Sequence, residues 1–363
     1  MSIPHVDVKA QYAPLLDELK DRLARVLDSG RFILGPEVRA FEQEAASFLG
    51  AREAVGVANG TDALVLVLEA LGIGPGDEVL CPAFTFYATA EAISRVGATP
   101  VFCDIDPASL TADPADVAER VTPRTRAILA VHLFGRPASL EPPAGVPVVE
   151  DAAQAFGARL GDRRVGTLGA AGTFSFFPTK NLFGLGDGGL VVTNDDRLAE
   201  RVRLLRFHGS SDKETFEAVG YNSRLDELQA AALRLFLEHV EEWNRSRREA
   251  AERYADLGLG ELVELPEDDP GHVHHMYVVR SPERDRIAEE LRARDIGCAT
   301  YYTTPLHLQP VYAGLGYEPG SLPETERASR ETIALPLWPA IRVEQQEQVV
   351  AAVRAALAVG ASA

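Results

Sequence analysis

The sequence predicts an α/β protein with a mostly parallel sheet that is covered by helices on both faces. Strand-like and helical segments alternate between residues 54 and 193. The strand-like segments are apolar at consecutive positions, which is typical of parallel strands buried on both faces. The chain has 363 residues, of which 46% are hydrophobic and 25% charged, and this length is sufficient for two domains with a substantial core.

The first elements follow from hydrophobic spacing. Leucines at helical spacing predict helices over residues 14–28 and 38–49, each followed closely by a glycine. A strand at 54–58 then leads into a helix over 63–71, with Asn59 or Thr61 as its N-cap. A further helix is predicted over residues 88–96, and the remaining strands of the sheet over 78–82, 99–104, 127–133, 146–151, 172–177 and 189–193.

The pattern changes after Ser223. A helical stripe from Leu225 continues towards Tyr254, and its length predicts one long helix that bridges two domains. Beyond it, the pattern predicts a smaller α+β domain with a strand at 275–279 and helices over 282–295 and 343–357. We therefore divide the chain into a large domain over residues 1–240 and a small domain over residues 241–363.

Charge and cysteine content exclude several classes of protein. The formal net charge of -18 disfavours non-specific binding to nucleic acid. Three cysteines without metal-ligand spacing, an N-terminus without a signal pattern and no long apolar run favour a reduced, cytoplasmic protein that does not cross a membrane. They also give no reason to expect a metal centre.

The most informative stretch is Thr173-Phe-Ser-Phe-Phe-Pro-Thr-Lys180-Asn181, which precedes a glycine-rich run over residues 182–189. Lys180 therefore lies where an apolar strand gives way to a loop, a common position for catalytic groups. We interpret Lys180 as a lysine that forms a Schiff base with pyridoxal phosphate. The glycines after it suit backbone that passes close to a flat cofactor.

Two further stretches supply what such a lysine needs. Gly60 and Thr61 lie at a strand-to-helix junction, where backbone N–H groups bind phosphate, although taken alone they are more simply explained by a tight turn and cap. Asp151 ends a buried strand and can keep a pyridine nitrogen protonated, although it can also cap the next helix. Its neighbour Glu150 should point to the opposite face, because side chains alternate along a strand.

Phe86 and Ser175 complete the set. Phe86 follows the strand ending at Pro82, where it can offer a flat ring an aromatic face or pack in the core. Ser175 can donate to a phosphate or be an inconsequential strand serine. The glycine run at 184–189 is not a nucleotide fingerprint because it precedes a strand, and the histidines at 272–275 are read as a solvated loop rather than a metal site.

Five motifs together resemble the DegT/DnrJ/StrS sugar aminotransferases, which belong to the aspartate-aminotransferase-like pyridoxal phosphate enzymes. The resemblance runs from about Ile3 to the last helix in the family's order and spacing. The motifs are Asn59-Gly60-Thr61-Asp62-Ala63-Leu64, Pro82-Ala-Phe-Thr-Phe86-Tyr-Ala-Thr89, Glu150-Asp151-Ala-Ala-Gln154-Ala-Phe-Gly157, Ser175-Phe-Phe-Pro-Thr-Lys180-Asn181 and Gly220-Tyr-Asn222-Ser-Arg224-Leu-Asp-Glu-Leu-Gln229-Ala230.

This resemblance implies a fold and a set of roles. The fold is that of type I pyridoxal phosphate transferases, with a seven-stranded mixed sheet and a small C-terminal domain. The resemblance makes Lys180 the Schiff-base lysine and proton shuttle. The other implied cofactor contacts are Asp151 at the pyridine nitrogen, Gln154 near the ring hydroxyl, Phe86 on the ring, and Gly60, Thr61 and Ser175 at the phosphate. Asn222 is implied to come from the neighbouring subunit of a homodimer with shared active sites.

The resemblance also implies the reaction. Family members transfer an amino group from L-glutamate, which leaves as 2-oxoglutarate, to a UDP- or dTDP-linked 3-keto or 4-keto sugar by ping-pong kinetics, and we favour the 3-keto group. Candidate substrate contacts are Tyr302 and His307 in the segment 301–310, and Arg31 and Arg224 for the diphosphate. Two alternatives remain, a pyridoxal phosphate-binding sensor without turnover and a family dehydratase. In the dehydratases a histidine replaces the lysine, so Lys180 favours transamination.

Overall fold

The computed structural model describes residues 2–139 and 145–358. Its central element is a seven-stranded sheet, accompanied by two small two-stranded sheets. The strands are β1 (Glu53–Val57), β2 (Glu78–Pro82), β3 (Thr99–Cys103), β4 (Thr125–Val131), β5 (Val148–Asp151), β6 (Arg159–Leu160), β7 (Arg163–Arg164), β8 (Ala171–Ser175), β9 (Gly189–Thr193), β10 (Tyr277–Arg280) and β11 (Thr332–Leu335).

Helices surround the sheet and continue into the C-terminal part of the chain. Short 3-10 turns link some of them. The helices are α1 (Val8–Tyr12), α2 (Leu16–Ser29), α3 (Pro36–Leu49), α4 (Gly60–Ala70), α5 (Ala88–Arg95), α6 (Pro114–Arg120), α7 (Asp196–Leu205), α8 (Glu227–Leu237), α9 (Val240–Asp256), α10 (Arg284–Ala293), α11 (Pro323–Glu331) and α12 (Val343–Ala358). Among the helices of the described ranges, none is long and apolar enough to cross a bilayer.

The sheet order is β1-β9-β8-β5-β4-β2-β3, and only β9 runs against its neighbours. This confirms the predicted mixed, mostly parallel sheet. Alternation along β1 sends Val55 and Val57 into a core with α4 and α7, and Ala54 into a second core with α3 and α8. Both faces of the sheet are therefore covered, as the continuously apolar strands indicate.

The single long helix predicted after Ser223 is wrong. The chain forms α8 and α9 instead, with a break at Glu238 and His239. Asp226 begins α8 by accepting a hydrogen bond from the N–H of Gln229. The sequence around the break contains no glycine or proline, so the apolar stripe continues through it and gives no sign that the helix ends.

A separate hydrophobic core is formed by the C-terminal part of the chain. It contains β10, β11, α10 and α12, and α9 joins it through Tyr254 while Trp243 of the same helix packs in the sheet core. The N-terminus also belongs here, because Ile3 is 2% exposed and pairs with Ile296. The predicted domain boundary at residue 240 stays a prediction, and the C-terminal core assembles from both ends of the chain.

Candidate active site

A cavity of about 560 Å³ opens at the carboxyl ends of β4, β5 and β8, beside the N-terminus of α4. Parallel strands bring these ends to one edge of the sheet, where ligands collect in open α/β folds. The cavity therefore gathers residues that are far apart in the sequence. Eight of the predicted site residues line it: Gly60, Thr61, Phe86, Asp151, Gln154, Ser175, Lys180 and Tyr302.

One end of the cavity is built to receive an anion. Asn59 caps α4 by accepting a 2.8 Å hydrogen bond from Asp62, which leaves the N–H groups of Gly60 and Thr61 to face the site. A Cβ on Gly60 would lie 2.7 Å from the Cβ of Ser175, so only glycine allows the helix to approach this close. The hydroxyl groups of Thr61 and Ser175 border the same space.

Asp151 lines the cavity and is 7% exposed. Its Oδ2 accepts a 2.8 Å hydrogen bond from Thr89, and its Oδ1 accepts a longer one, 3.3 Å, from the N–H of Ala153. Burial raises the pKa of the Asp151 carboxyl, and the Thr89 hydrogen bond and the charge of Lys180 only partly oppose this. The carboxylate therefore has capacity for a cationic N–H, which a protonated pyridine ring supplies.

Lys180 lies in the loop after β8, the strand that pairs with β5, and it lines the same cavity as Asp151. Burial lowers the pKa of its ammonium to about 8, and the Asp151 carboxylate opposes the shift. Near neutral pH a much larger fraction of Lys180 is therefore the free amine than for an ordinary lysine. A free amine is the form that attacks a carbonyl carbon and accepts a proton.

Glu150 faces away from the cavity, as alternation along β5 requires. Its carboxylate, which is 1% exposed, accepts hydrogen bonds from the N–H groups of Gly166, Leu168 and Gly169 at 2.6–2.8 Å. His132 donates to it through Nε2 at 3.0 Å, because its Nδ1 accepts from a backbone N–H. These bonds hold the end of β5 and thereby the backbone of Asp151 in place.

Gln154 and Tyr302 border the cavity together. The Oε1 of Gln154 accepts a 2.7 Å hydrogen bond from the N–H of Phe134, and its Nε2 donates to the Tyr302 hydroxyl at 3.0 Å. The Tyr302 ring lies parallel to Phe134 at 6.0 Å and perpendicular to Phe84 at 5.5 Å. Phe86 lies at the mouth, where 59% of it is exposed.

Four predicted site residues do not line the cavity of this chain. Arg31 and Asn222 are exposed, and Arg224 donates to Asn222 and lies over the Phe207 ring. His307 is 1% exposed and bonds Glu326 at 3.3 Å, and its contact with substrate stays a prediction. A histidine in a proline-rich loop gave no sequence signal of this burial.

The segment 272–275 is not the solvated loop that the sequence analysis predicted. His272 and His275 are 3% and 2% exposed, and burial lowers the pKa of His272 to about 3. Neutral imidazoles are compatible with such burial, which a reading based on polarity overlooks. Within residues 2–139 and 145–358, no group of three or more potential ligand residues is placed to hold a metal ion.

Sequence reasoning missed several residues that line the cavity. His132 directly follows β4, so the rule that placed Asp151 at a strand end applies to it as well. Asp187 lies in the glycine-rich run, where its position between Gly186 and Gly188 marks it as a loop residue near the site. His275 comes from the C-terminal part of the chain, where no local pattern connects it to the sheet, and Tyr301 lies in the segment 301–310, of which only Tyr302 and His307 were predicted as contacts.

Known proteins resemble this chain over nearly its whole length. Residues 15–354 match the DegT/DnrJ/EryC1/StrS aminotransferase family. The chain is 47% identical to the "Pleiotropic regulatory protein" of Geobacillus stearothermophilus, with 96% of this chain and 97% of the relative covered. It is also 47% identical to the dTDP-3-amino-3,4,6-trideoxy-alpha-D-glucose transaminase of Streptomyces venezuelae, with coverage of 97% and 95%.

A solved structure is equally similar. The crystal structure of S. venezuelae DesV in complex with a ketimine intermediate superposes with a TM-score of 0.94. Its sequence is 46% identical to this chain, and 98% of each chain is covered. The likeness therefore extends over both the sheet and the C-terminal core.

Proposed function

We propose that this chain, which belongs to the DegT/DnrJ/EryC1/StrS aminotransferase family, is a pyridoxal phosphate-dependent transaminase that aminates a nucleotide-linked keto sugar. The observation that carries the proposal is the pair formed by Lys180 and Asp151 at one cavity, with the pKa of the lysine lowered to about 8. The family membership supplies the reaction class. The site supplies the residues that carry it out.

The residues present fit pyridoxal phosphate. The N–H groups of Gly60 and Thr61 and the Ser175 hydroxyl bind the phosphate, in a space that a Cβ on Gly60 would partly fill. Asp151 would keep the ring nitrogen protonated, and Phe86 would cover one face of the ring. When bound, the cofactor supplies an electron sink that weakens the Cα–H bond of the amino donor.

Lys180 moves the proton in both halves of the reaction. With L-glutamate as donor, its Nζ accepts the proton from Cα. The amino group is retained by the cofactor, water supplies the keto oxygen, and the carbon skeleton leaves as 2-oxoglutarate. In the second half, the protonated Nζ donates a proton to the sugar carbon that receives the amino group. A pKa of about 8 suits both directions near neutral pH, because the amine and the ammonium are both populated.

The sugar is the least constrained part of the proposal. The Streptomyces venezuelae relative is named for a dTDP-linked sugar aminated at carbon 3, which supports the 3-keto position. Both UDP- and dTDP-linked sugars belong in a test, since nothing at the cavity distinguishes uracil from thymine. Arg31 is exposed and Arg224 is half-buried, and both remain candidates for the diphosphate.

We also propose a homodimer that shares its active sites. Asn222 and Arg224 do not line the cavity of their own chain, and family resemblance assigns Asn222 to the site of the partner. Exposed apolar side chains at the cavity mouth and near residue 216 are compatible with a covered surface, namely Phe86, Phe177, Leu185 and Phe216. The domain boundary at residue 240 and a cytoplasmic location remain parts of the same proposal.

A non-catalytic sensor is the alternative that the comparisons keep open, because one relative is named as a regulatory protein. A family dehydratase is disfavoured, since Lys180 stands where that subgroup has histidine. One experiment distinguishes a transaminase from a sensor and from a dehydratase. The purified protein, loaded with pyridoxal phosphate, is given L-glutamate and a panel of UDP- and dTDP-linked 3-keto and 4-keto sugars.

We expect an amino sugar and 2-oxoglutarate in equal amounts, with parallel ping-pong kinetic lines. Lys180→Ala should abolish turnover and the absorbance of the lysine-bound cofactor while leaving the fold intact. Loaded protein that is inert towards the whole panel, yet binds one sugar, would identify a sensor. A dehydrated sugar without 2-oxoglutarate would identify a dehydratase.

A further inference from the structure

The hydrogen-bond polarity at the cavity wall is fixed by one backbone group. The N–H of Phe134 can only donate, so the atom of Gln154 that lies 2.7 Å from it must be the carbonyl oxygen Oε1. The amide nitrogen Nε2 therefore points to the Tyr302 hydroxyl at 3.0 Å, and it can only donate. The Tyr302 oxygen is consequently an acceptor in this pair.

Because the Tyr302 oxygen accepts from Gln154, the Tyr302 hydroxyl proton points away from Gln154. Among residues 2–139 and 145–358, no acceptor takes it, and Tyr302 lines the cavity. Burial raises the pKa of the Tyr302 hydroxyl, so it retains its proton at neutral pH. The hydroxyl therefore presents an O–H donor to the site.

The surrounding structure holds this donor in place. Tyr302 has a φ of +56° and Phe134 has the same value, which is a left-handed conformation that residues with a Cβ seldom adopt. Phe84 and Phe134 enclose the Tyr302 ring on two sides. Two uncommon backbone conformations at residues joined through Gln154 indicate a constraint maintained for a function.

We propose that Tyr302 is an obligate hydrogen-bond donor to an anionic oxygen of a bound ligand, with its polarity set by the Phe134–Gln154 pair. The inference rests on the proposed transamination. That reaction offers two anionic oxygens of this chemistry, the ring oxygen of the cofactor and a carboxylate of the amino donor. A ligand group that must itself donate a hydrogen bond is not accepted at this position.

Two measurements on the cofactor-loaded Tyr302→Phe protein distinguish the two oxygens without turnover. If the ring oxygen is the acceptor, the pH midpoint of the absorbance of the bound cofactor moves upward by about one to two units, since the donor stabilises the deprotonated form. If the carboxylate is the acceptor, the midpoint stays unchanged. The Kd for glutarate, a dicarboxylate that cannot react, then rises about 10- to 100-fold in calorimetry.

A double-mutant cycle tests the polarity itself. Gln154→Glu keeps an acceptor for the Phe134 N–H but places a second acceptor beside Tyr302, so the hydroxyl proton turns towards residue 154. In that background, Tyr302→Phe should shift the pH midpoint of the cofactor absorbance by less than about 0.3 units. It should change the Kd for glutarate less than about twofold. A full effect in both backgrounds would show that Gln154 does not set the polarity and would overturn the proposal.

Tyr317→Phe is the matched control. The Tyr317 hydroxyl bonds the backbone of Phe102 at 2.9 and 3.2 Å, outside the cavity, so its loss should leave both measurements unchanged. Tyr302→Phe protein that loads cofactor and shows neither change contradicts the proposal. A wild-type chain that loads cofactor but never transaminates contradicts only the proposed function, whereas one that takes up no cofactor contradicts both.

Discussion

Among the four lysines of this chain, Lys180 should have the largest fraction of free amine near neutral pH. The sequence contains four lysines, and the other three, Lys9, Lys20 and Lys213, are exposed and serve as references within the same molecule. Burial lowers the pKa of Lys180 from 10.5 to about 8. At pH 7 this raises the fraction of free amine about 300-fold relative to a lysine with the ordinary value.

Competitive labelling measures this directly. Protein freed of cofactor is exposed to a trace of isotopically labelled acetic anhydride at a series of pH values, and peptide mass spectrometry gives the extent of reaction at each lysine. The labelling midpoint of Lys180 should lie near 8. Because the Asp151 carboxylate raises the pKa of Lys180, Asp151→Asn should move that midpoint lower still.

The reasoning has clear points of failure. A Lys180 midpoint near 10.5 would show that burial does not depress its pKa. An Asp151→Asn midpoint higher than that of the wild type would show that the carboxylate is not the partner of the lysine. The reference lysines report any general change in reagent access, so a local effect is separated from partial unfolding.

Three further changes test other parts of the structure. Urea unfolding can be followed by the fluorescence of Trp243, which lies in the sheet core, and of Trp338, which lies in the C-terminal core. Glu227→Gln should lower the unfolding free energy by about 2–4 kcal/mol, because the buried carboxylate accepts hydrogen bonds from three N–H groups at the start of α3. As a control, Glu238→Gln removes only a half-exposed ion pair and should lower it by less than about 1 kcal/mol. Gly60→Ala should raise the Kd for cofactor at least about tenfold by crowding Ser175, with little change in unfolding of the cofactor-free protein; an unchanged Kd would remove Gly60 from the phosphate site. Lowering the pH from about 7.5 to 5 should lower the unfolding free energy by about 2 kcal/mol through His272, because its folded pKa of about 3 lies below its unfolded value of 6.5 and the unfolded chain binds more protons in this window. His272→Asn should flatten the dependence of the unfolding free energy on pH, and an equal dependence in both proteins would contradict the assignment.

The sheet, and the position of Asp151 and Lys180 at one cavity, could be predicted because their signals are local. Each strand is a short apolar run, and Asp151 ends one such run while Lys180 comes shortly after another. The structure adds what depends on distant partners. Glu227 reads as an ordinary acid in the first turn of a helix, yet its carboxylate binds N–H groups some 190 residues away at Gly35, Glu37 and Val38.

The C-terminal residues of the site illustrate the same limit. The sequence suggested both Tyr302 and His307 from one segment, but only Tyr302 lines the cavity. The two are five positions apart in irregular backbone, where no period relates one side chain to the next. Likewise, the break between α8 and α9 depends on which core each half packs against, and Trp243 and Tyr254 belong to different cores.

The pairing of Ile3 with Ile296 has a consequence for how the chain is made. Synthesis proceeds from the N-terminus, so Ile3 leaves the ribosome with its partner still to be translated. At about 5–20 residues per second, the wait lasts roughly 15–60 s. During that time the sheet can close around α4, whereas the first residues stay without their contacts in the C-terminal core. Docking of the N-terminus is therefore a late step in the folding of the newly made chain, although it involves the first residues to be synthesised.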